Sequence, residues 1–172
     1  MNNIKIGKTE MSIGDLLIYL GALVAIIAIF LTYVESTMFP NNTTTLTGID
    51  IITGKDGDVD DLSFVHLAPL FTLIFAIVGA IAAILRMFVK NVDANVFSFV
   101  EVGVFALAAI FAIVFVAMGA GPDLYDGTAK DIIKMAIDSG ALKMNLGIGA
   151  YLGLIASIVG VIGAGVNVKE SL

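Results

Sequence analysis

Four apolar runs, at residues 13–34, 64–85, 96–118 and 144–166, constrain this chain more than any other feature. Each holds more than twenty residues. At about 1.5 Å of rise per residue, a helix of that length crosses a hydrocarbon layer about 30 Å thick. Ionisable residues inside the runs are few: Asp15 near the start of the first, His66 near the start of the second and Glu101 in the third. The runs predict an all-α membrane protein, a four-transmembrane-helix bundle formed as one domain over residues 1–172. Its outer loops fall at 35–63 and 119–143.

Composition agrees. The 172 residues are 59% hydrophobic and 14% charged, with a mean hydropathy of +1.02. A soluble domain of that balance lacks polar surface to cover its core, whereas a bilayer needs no such cover. Lys5 and Lys8 precede the first run, as they would in a cleaved signal peptide. That run is, however, about twice a 7–15-residue signal core, and no A-x-A-like site follows it, so an uncleaved span is expected.

Cysteine is absent, which excludes paired-thiol oxidoreduction and any disulfide in the outer loops. The single histidine cannot supply both axial ligands of a bis-histidine haem. No cofactor is expected. Without Trp, interface anchoring falls to Tyr33, Tyr125, Phe39 and flanking lysines. Lysine far outnumbers arginine, with Arg86 alone, and isoleucine is abundant, a composition of AT-rich prokaryotic genomes.

Charge gives the runs a direction. Lys5, Lys8, Arg86, Lys90 and Lys169 crowd into the short segments on one side, whereas Lys55, Lys130, Lys134 and Lys143 are spread over the longer loops. The positive-inside rule places both termini in the cytoplasm. The long loops carry ten acids, from Glu35 to Asp138, against those four lysines, so they hold a charge of −6, equal to that of the whole chain. The outer face is therefore acidic, ordinarily a solubilising surface.

In the first loop, Thr and Ile alternate from Leu46 to Thr53 before Gly54 and Asp56-Gly57, a pattern that predicts a strand or hairpin. Asn41 and Asn42 open overlapping N-glycosylation sequons. Asp56, Asp58 and Asp60 imitate the start of a calcium loop, but Asp61 and Leu67 stand where Gly and Glu belong, so a solvated acidic turn is the ordinary reading. In the second loop, Thr128 and Asp131 have capping-box spacing ahead of an apolar face formed by Ala129, Ile132, Ile133, Ala136 and Ile137. Gly140 is the expected stop of this short amphipathic helix.

The fourth run carries two strips of small residues, Gly149–Gly153–Ser157 and Ala156–Gly160–Ala164. Such strips let membrane helices approach closely, either within the bundle or between copies. Gly21 with Ala25 and Ala76 with Ala80 are weaker versions. Glu101 lies about 8 Å inside its span by helix rise, within reach of Arg86 across the short inner loop, so an ion pair competes with an ion-ligand role. Asp15 suits a helix N-terminus. His66 is expected as an interfacial imidazole bonded to a loop carboxylate such as Asp60 or Asp61. There is no nucleophile–base arrangement, phosphate loop or dinucleotide fingerprint, and too little basic charge for nucleic acid. An enzyme is not expected.

The order of inner N-terminus, four spans, a long and then a shorter outer loop, and inner C-terminus resembles the claudin and peripheral-myelin-protein tetraspan arrangement. Residues 33–69 are more similar to uncharacterised prokaryotic four-span proteins: a Pro soon after the first span, a Thr-Gly-Ile-Asp-like segment at 47–50, a Gly-Asp-rich turn and the second span. The claudin first-loop Trp and Cys signature is missing. The resemblance implies a left-handed bundle capped by a small β-containing outer layer, in proteins that often associate laterally. The expected function is that of a structural membrane protein, its partners being the lipid bilayer, further copies of itself and other membrane proteins. The alternative is a small channel, transporter or accessory subunit in which Glu101, Asp15 and Arg86 govern flux.

Overall fold

The structure, a computed structural model, describes residues 3–6, 9–40, 42–54, 62–88 and 94–171. A hairpin of β1 (Asn3–Ile6) and β2 (Thr9–Ser12) leads into α1 (Ile13–Ala28). Ser12 stops the strand and starts the helix. Its hydroxyl accepts the Asp15 N–H at 3.0 Å, and its own N–H donates to the Asp15 carboxylate at 3.4 Å. This reciprocal pair satisfies two backbone donors that a helix start leaves open.

The first apolar run is not one helix. α1 ends at Ala28, and after a turn the chain becomes β3 (Thr32–Met38), so Tyr33 and Val34 belong to a strand. Both are buried. The strand's inward residues simply extend the hydrophobic run, and hydrophobicity alone does not separate a buried strand from a helix. With 16 residues, α1 spans about 24 Å and is the shortest of the four apolar helices.

β4 (Asn42–Thr47) returns along β3, and α2 (Gly48–Thr53) follows it directly. The expected strand through Ile49–Thr53 is therefore helical. The Thr47 hydroxyl accepts the Asp50 N–H at 3.2 Å, and the Thr47 N–H donates to the Asp50 carboxylate at 3.1 Å. Gly54 closes the turn at φ 65°, a left-handed conformation that glycine adopts without a Cβ clash. Both end signals outweigh the β preference of the isoleucines between them.

A 3₁₀ turn, Phe64–Leu67, feeds α3 (Ala68–Phe88), and α4 (Ala94–Met118) runs back beside it. After a second 3₁₀ turn, Pro122–Leu124, comes α5 (Gly127–Asp138). Its N-cap is Asp126, without a side-chain cap bond, rather than Thr128. The helix thus starts two residues before the capping-box spacing indicates, with Gly127 at φ 55°. β5 (Leu142–Leu146) and α6 (Ile148–Ser171) complete the chain, so the first three residues of the fourth apolar run are strand.

α1, α3, α4 and α6 form a ring in which α1 packs on α3 and α6, and α4 packs on α3 and α6. The last three of these are long and apolar enough to cross a membrane. Over the end opposite the chain termini lies a three-stranded sheet, ordered β4-β3-β5, with β3 antiparallel to both neighbours. The two loops are thus joined in one sheet. Val34, paired with Leu46 and Leu146, faces inward, whereas Glu35, paired with Thr45 and Asn145, faces outward and is exposed. Beneath the sheet, Tyr33, Val34, Ile51, Phe115 and Leu124 make one core; Ile18, Ala76, Phe105 and Ala156 make another inside the helices.

Candidate functional site

Small residues bring α1 and α6 together, and that approach builds the polar site. A Cβ on Gly163 would lie 2.7 Å from the Gly14 carbonyl oxygen, and a Cβ on Gly21 would lie 2.7 Å from that of Ala156. Only glycine leaves room for such a crossing. Asn167, one turn beyond Gly163, is thereby set beside Ser12 and Asp15. Its carbonyl oxygen accepts the Ser12 hydroxyl at 2.8 Å. Its amide donates to Asp15 Oδ1 at 3.2 Å and to Glu101 Oε2 at 3.0 Å.

Arg86, from the last turn of α3, completes the cluster. Nη2 is paired with Asp15 Oδ1, Nη1 donates to the Ser98 hydroxyl at 3.2 Å, and Nε stands 3.3 Å from Glu101 Oε1. Ser98, Glu101 and Asn167 are wholly buried and Asp15 is 5% exposed. Each of the four long helices contributes at least one side chain. A guanidinium suits this place because its planar fork donates in several fixed directions and stays charged. Removing one partner of such a buried pair costs much more than the pair itself contributes.

Among the described residues, two carboxylates share one guanidinium at the hairpin end of the bundle. The buried hydroxyls nearer the middle are satisfied by their own helices: Thr72 donates to the Ala68 carbonyl and Ser157 to that of Gly153, each at 2.9 Å. Among the described residues, no chain of buried charge runs from the cluster to the sheet.

The other sequence candidates fall elsewhere. Gly149, Gly153, Ala156, Ser157, Gly160 and Ala164 are all buried in the chain's own core. A Cβ on Gly149 would meet the Tyr33 ring at 2.6 Å, one on Gly153 the Tyr33 hydroxyl at 2.9 Å, and one on Gly160 the Phe105 ring. A second copy would have to use other residues. Asn42 begins β4 and is exposed, whereas Asn41, Asp56, Asp58, Asp60 and Asp61 lie outside the described residues. His66 is buried, and its Nδ1–H donates to the Ser63 carbonyl at 2.5 Å, while the carboxylates expected beside it, Asp60 and Asp61, lie outside the described residues. Tyr33, expected at an interface, packs edge-on against Phe115, and burial pushes its phenol up to about 12. On the surface Lys130 pairs with Asp123 at 2.8 Å, which holds the lysine above its ordinary range.

Asn167 is not evident from the sequence pattern, because the fourth apolar run stops at 166 and this lone amide lies just beyond it. Its spacing from Gly163 was the usable signal, since a polar residue one turn from a close-approach glycine lies on the same face.

Comparison with known protein families and with curated proteins returns no match for this chain.

Proposed function

We propose that the chain is a non-enzymatic structural membrane protein. It crosses the membrane four times, keeps both termini in the cytoplasm, and associates side by side through its outer sheet. The observation that carries this reading is the open sheet. Among the described residues, β4 and β5 are its edge strands, each hydrogen-bonded along one side to β3. β4, with the sequence Asn-Thr-Thr-Thr-Leu-Thr, has no charge, Pro or Gly to discourage pairing. Because both edges run antiparallel to β3, they are parallel to each other. Copies that face the same way in one membrane hold these edges at one height, so β4 of one meets β5 of the next.

The helices favour such a role for the cap. Their lipid-facing surfaces are Ile, Leu, Val and Phe, including Leu23, Ile110, Ile155 and Ile162. Aliphatic contact between helices is no better than contact with lipid tails, so specificity has to come from small residues or polar pairing. The two small-residue strips of α6 face inward, and the sheet edges offer polar pairing in their place. The claudin-type resemblance points in the same direction.

Blue native electrophoresis and cross-linking in native membranes test the reading: a series of oligomers is expected, and monomers alone would contradict it. A channel or transporter is the second reading, favoured by the buried Glu101. Ion flux in liposomes that Glu101→Gln alters, with assembly unchanged, would support it.

A further inference from the structure

Polar hydrogens and lone pairs do not balance in the Asp15–Arg86–Glu101–Asn167 cluster. Asn167 donates to Glu101 Oε2, but Glu101 Oε1 accepts no hydrogen bond, although the residue is wholly buried. Arg86 Nε is ion-paired with it at 3.3 Å without hydrogen-bond geometry, while the two terminal nitrogens of Arg86 are directed to Ser98 and Asp15. A buried acceptor without a donor is costly, more so when charged. Among the described residues the charge count agrees, with two carboxylates against one guanidinium.

We propose that this cluster binds one monocation, a proton or an alkali-metal ion, at the Glu101 carboxylate. Among the described residues, the groups facing it are Asp15 and Tyr19 from α1, Arg86 from α3 and Asn167 from α6, with Ser98 of its own helix bonded to Arg86. A single positive charge brings the described cluster to neutrality and gives Oε1 a donor or ligand contact beyond its Arg86 ion pair. Entry is from the hairpin end, where the Arg86 side chain retains 14% exposure. The site is independent of the outer sheet, so lateral association and cation binding stand or fall separately.

The full-length protein in detergent, titrated with sodium, potassium or choline chloride at constant ionic strength and pH, reads the binding as a thermal midpoint. A small alkali ion should raise the midpoint by roughly 5 °C at a hundredfold excess over its half-saturating concentration. Choline, too bulky to enter, should not. If the proton is the ligand, the salts are equivalent. The midpoint then rises as pH falls from mildly alkaline to neutral, with one proton taken up per chain and an infrared band of a neutral carboxyl. In either case Glu101→Gln should abolish the response and keep a midpoint, without added cation, at least as high as the parent protein's. Should that variant fail to fold, Glu101→Asp, whose carboxylate is drawn back by one methylene, is expected to weaken the response about tenfold. An unchanged response in Glu101→Asp overturns the proposal. So does a parent protein indifferent to sodium, potassium and pH with both carboxylates ionised in choline.

Discussion

Arg86 Nε stands 3.3 Å from Glu101 Oε1, joining the last turn of α3 to a residue two turns into α4. The same guanidinium reaches Asp15 on α1, and Asn167 on α6 bonds both carboxylates. Together Arg86 and Asn167 tie the ends of all four helices. Replacing Arg86 with Met leaves two buried carboxylates facing each other. Arg86→Met should lower stability by about 3–5 kcal/mol, measured by chemical unfolding in detergent. Arg86→Lys should recover only part of that loss, because an ammonium lacks the fork that reaches Ser98, Asp15 and Glu101 together.

Glycines along the bundle should differ sharply in their tolerance of a methyl group. A Cβ at Gly160 runs into the Phe105 ring, which is itself fully buried. Gly160→Ala should destabilise by about 1–3 kcal/mol. Gly103, within α4, has nothing within 4 Å of its Cβ position. Gly103→Ala should be neutral or stabilise by up to about 1 kcal/mol, since alanine restricts the unfolded chain. Thermal midpoints of the two variants side by side check the contrast.

The short helix α2 depends on its ends. Thr47→Ala removes the hydroxyl that accepts the Asp50 N–H, and a loss of about 0.5–2 kcal/mol is expected. Gly54→Ala forces a Cβ into the left-handed region and should cost roughly 1 kcal/mol. Faster proteolysis within residues 48–54, compared with the parent protein, would register the loosening.

Tyr33 makes stability depend on alkaline pH. Its folded-state value is pushed up to about 12 from an ordinary 10.0 because burial opposes the phenolate. The folded protein thus holds this proton more tightly than the unfolded chain. The resulting stability is fully present below pH 10 and is lost as pH rises towards 12. Phenolate absorbance should show a late-titrating tyrosine step that Tyr33→Phe removes.

Much of the architecture was legible because membrane-length helices carry a strong signal. The second, third and fourth runs correspond to α3, α4 and α6, each displaced by a few residues. The errors lie where runs pass from helix to sheet. Tyr33 and Val34, like Met144 and Leu146, are apolar because they pack on the core under the sheet, and composition cannot tell that burial from a lipid-facing turn. In α2, local end signals prevailed over isoleucine's β preference. Asp15, Arg86 and Glu101 stood out as rare charges next to or within apolar runs. Their convergence with Asn167 did not, because it depends on how closely Gly14 and Gly163 cross.

The central claim, side-by-side association through the sheet edges, has a direct test in the chain's lack of cysteine. Thr45 on β4 and Asn145 on β5 are exposed and both pair with Glu35 on the strand between them. Within one copy they are about 10 Å apart, too far for a disulfide. With Thr45→Cys and Asn145→Cys combined, mild oxidation in native membranes should give a ladder of disulfide-linked oligomers, whereas either single variant should give none beyond a dimer. Monomers alone from the double variant would contradict association through this sheet.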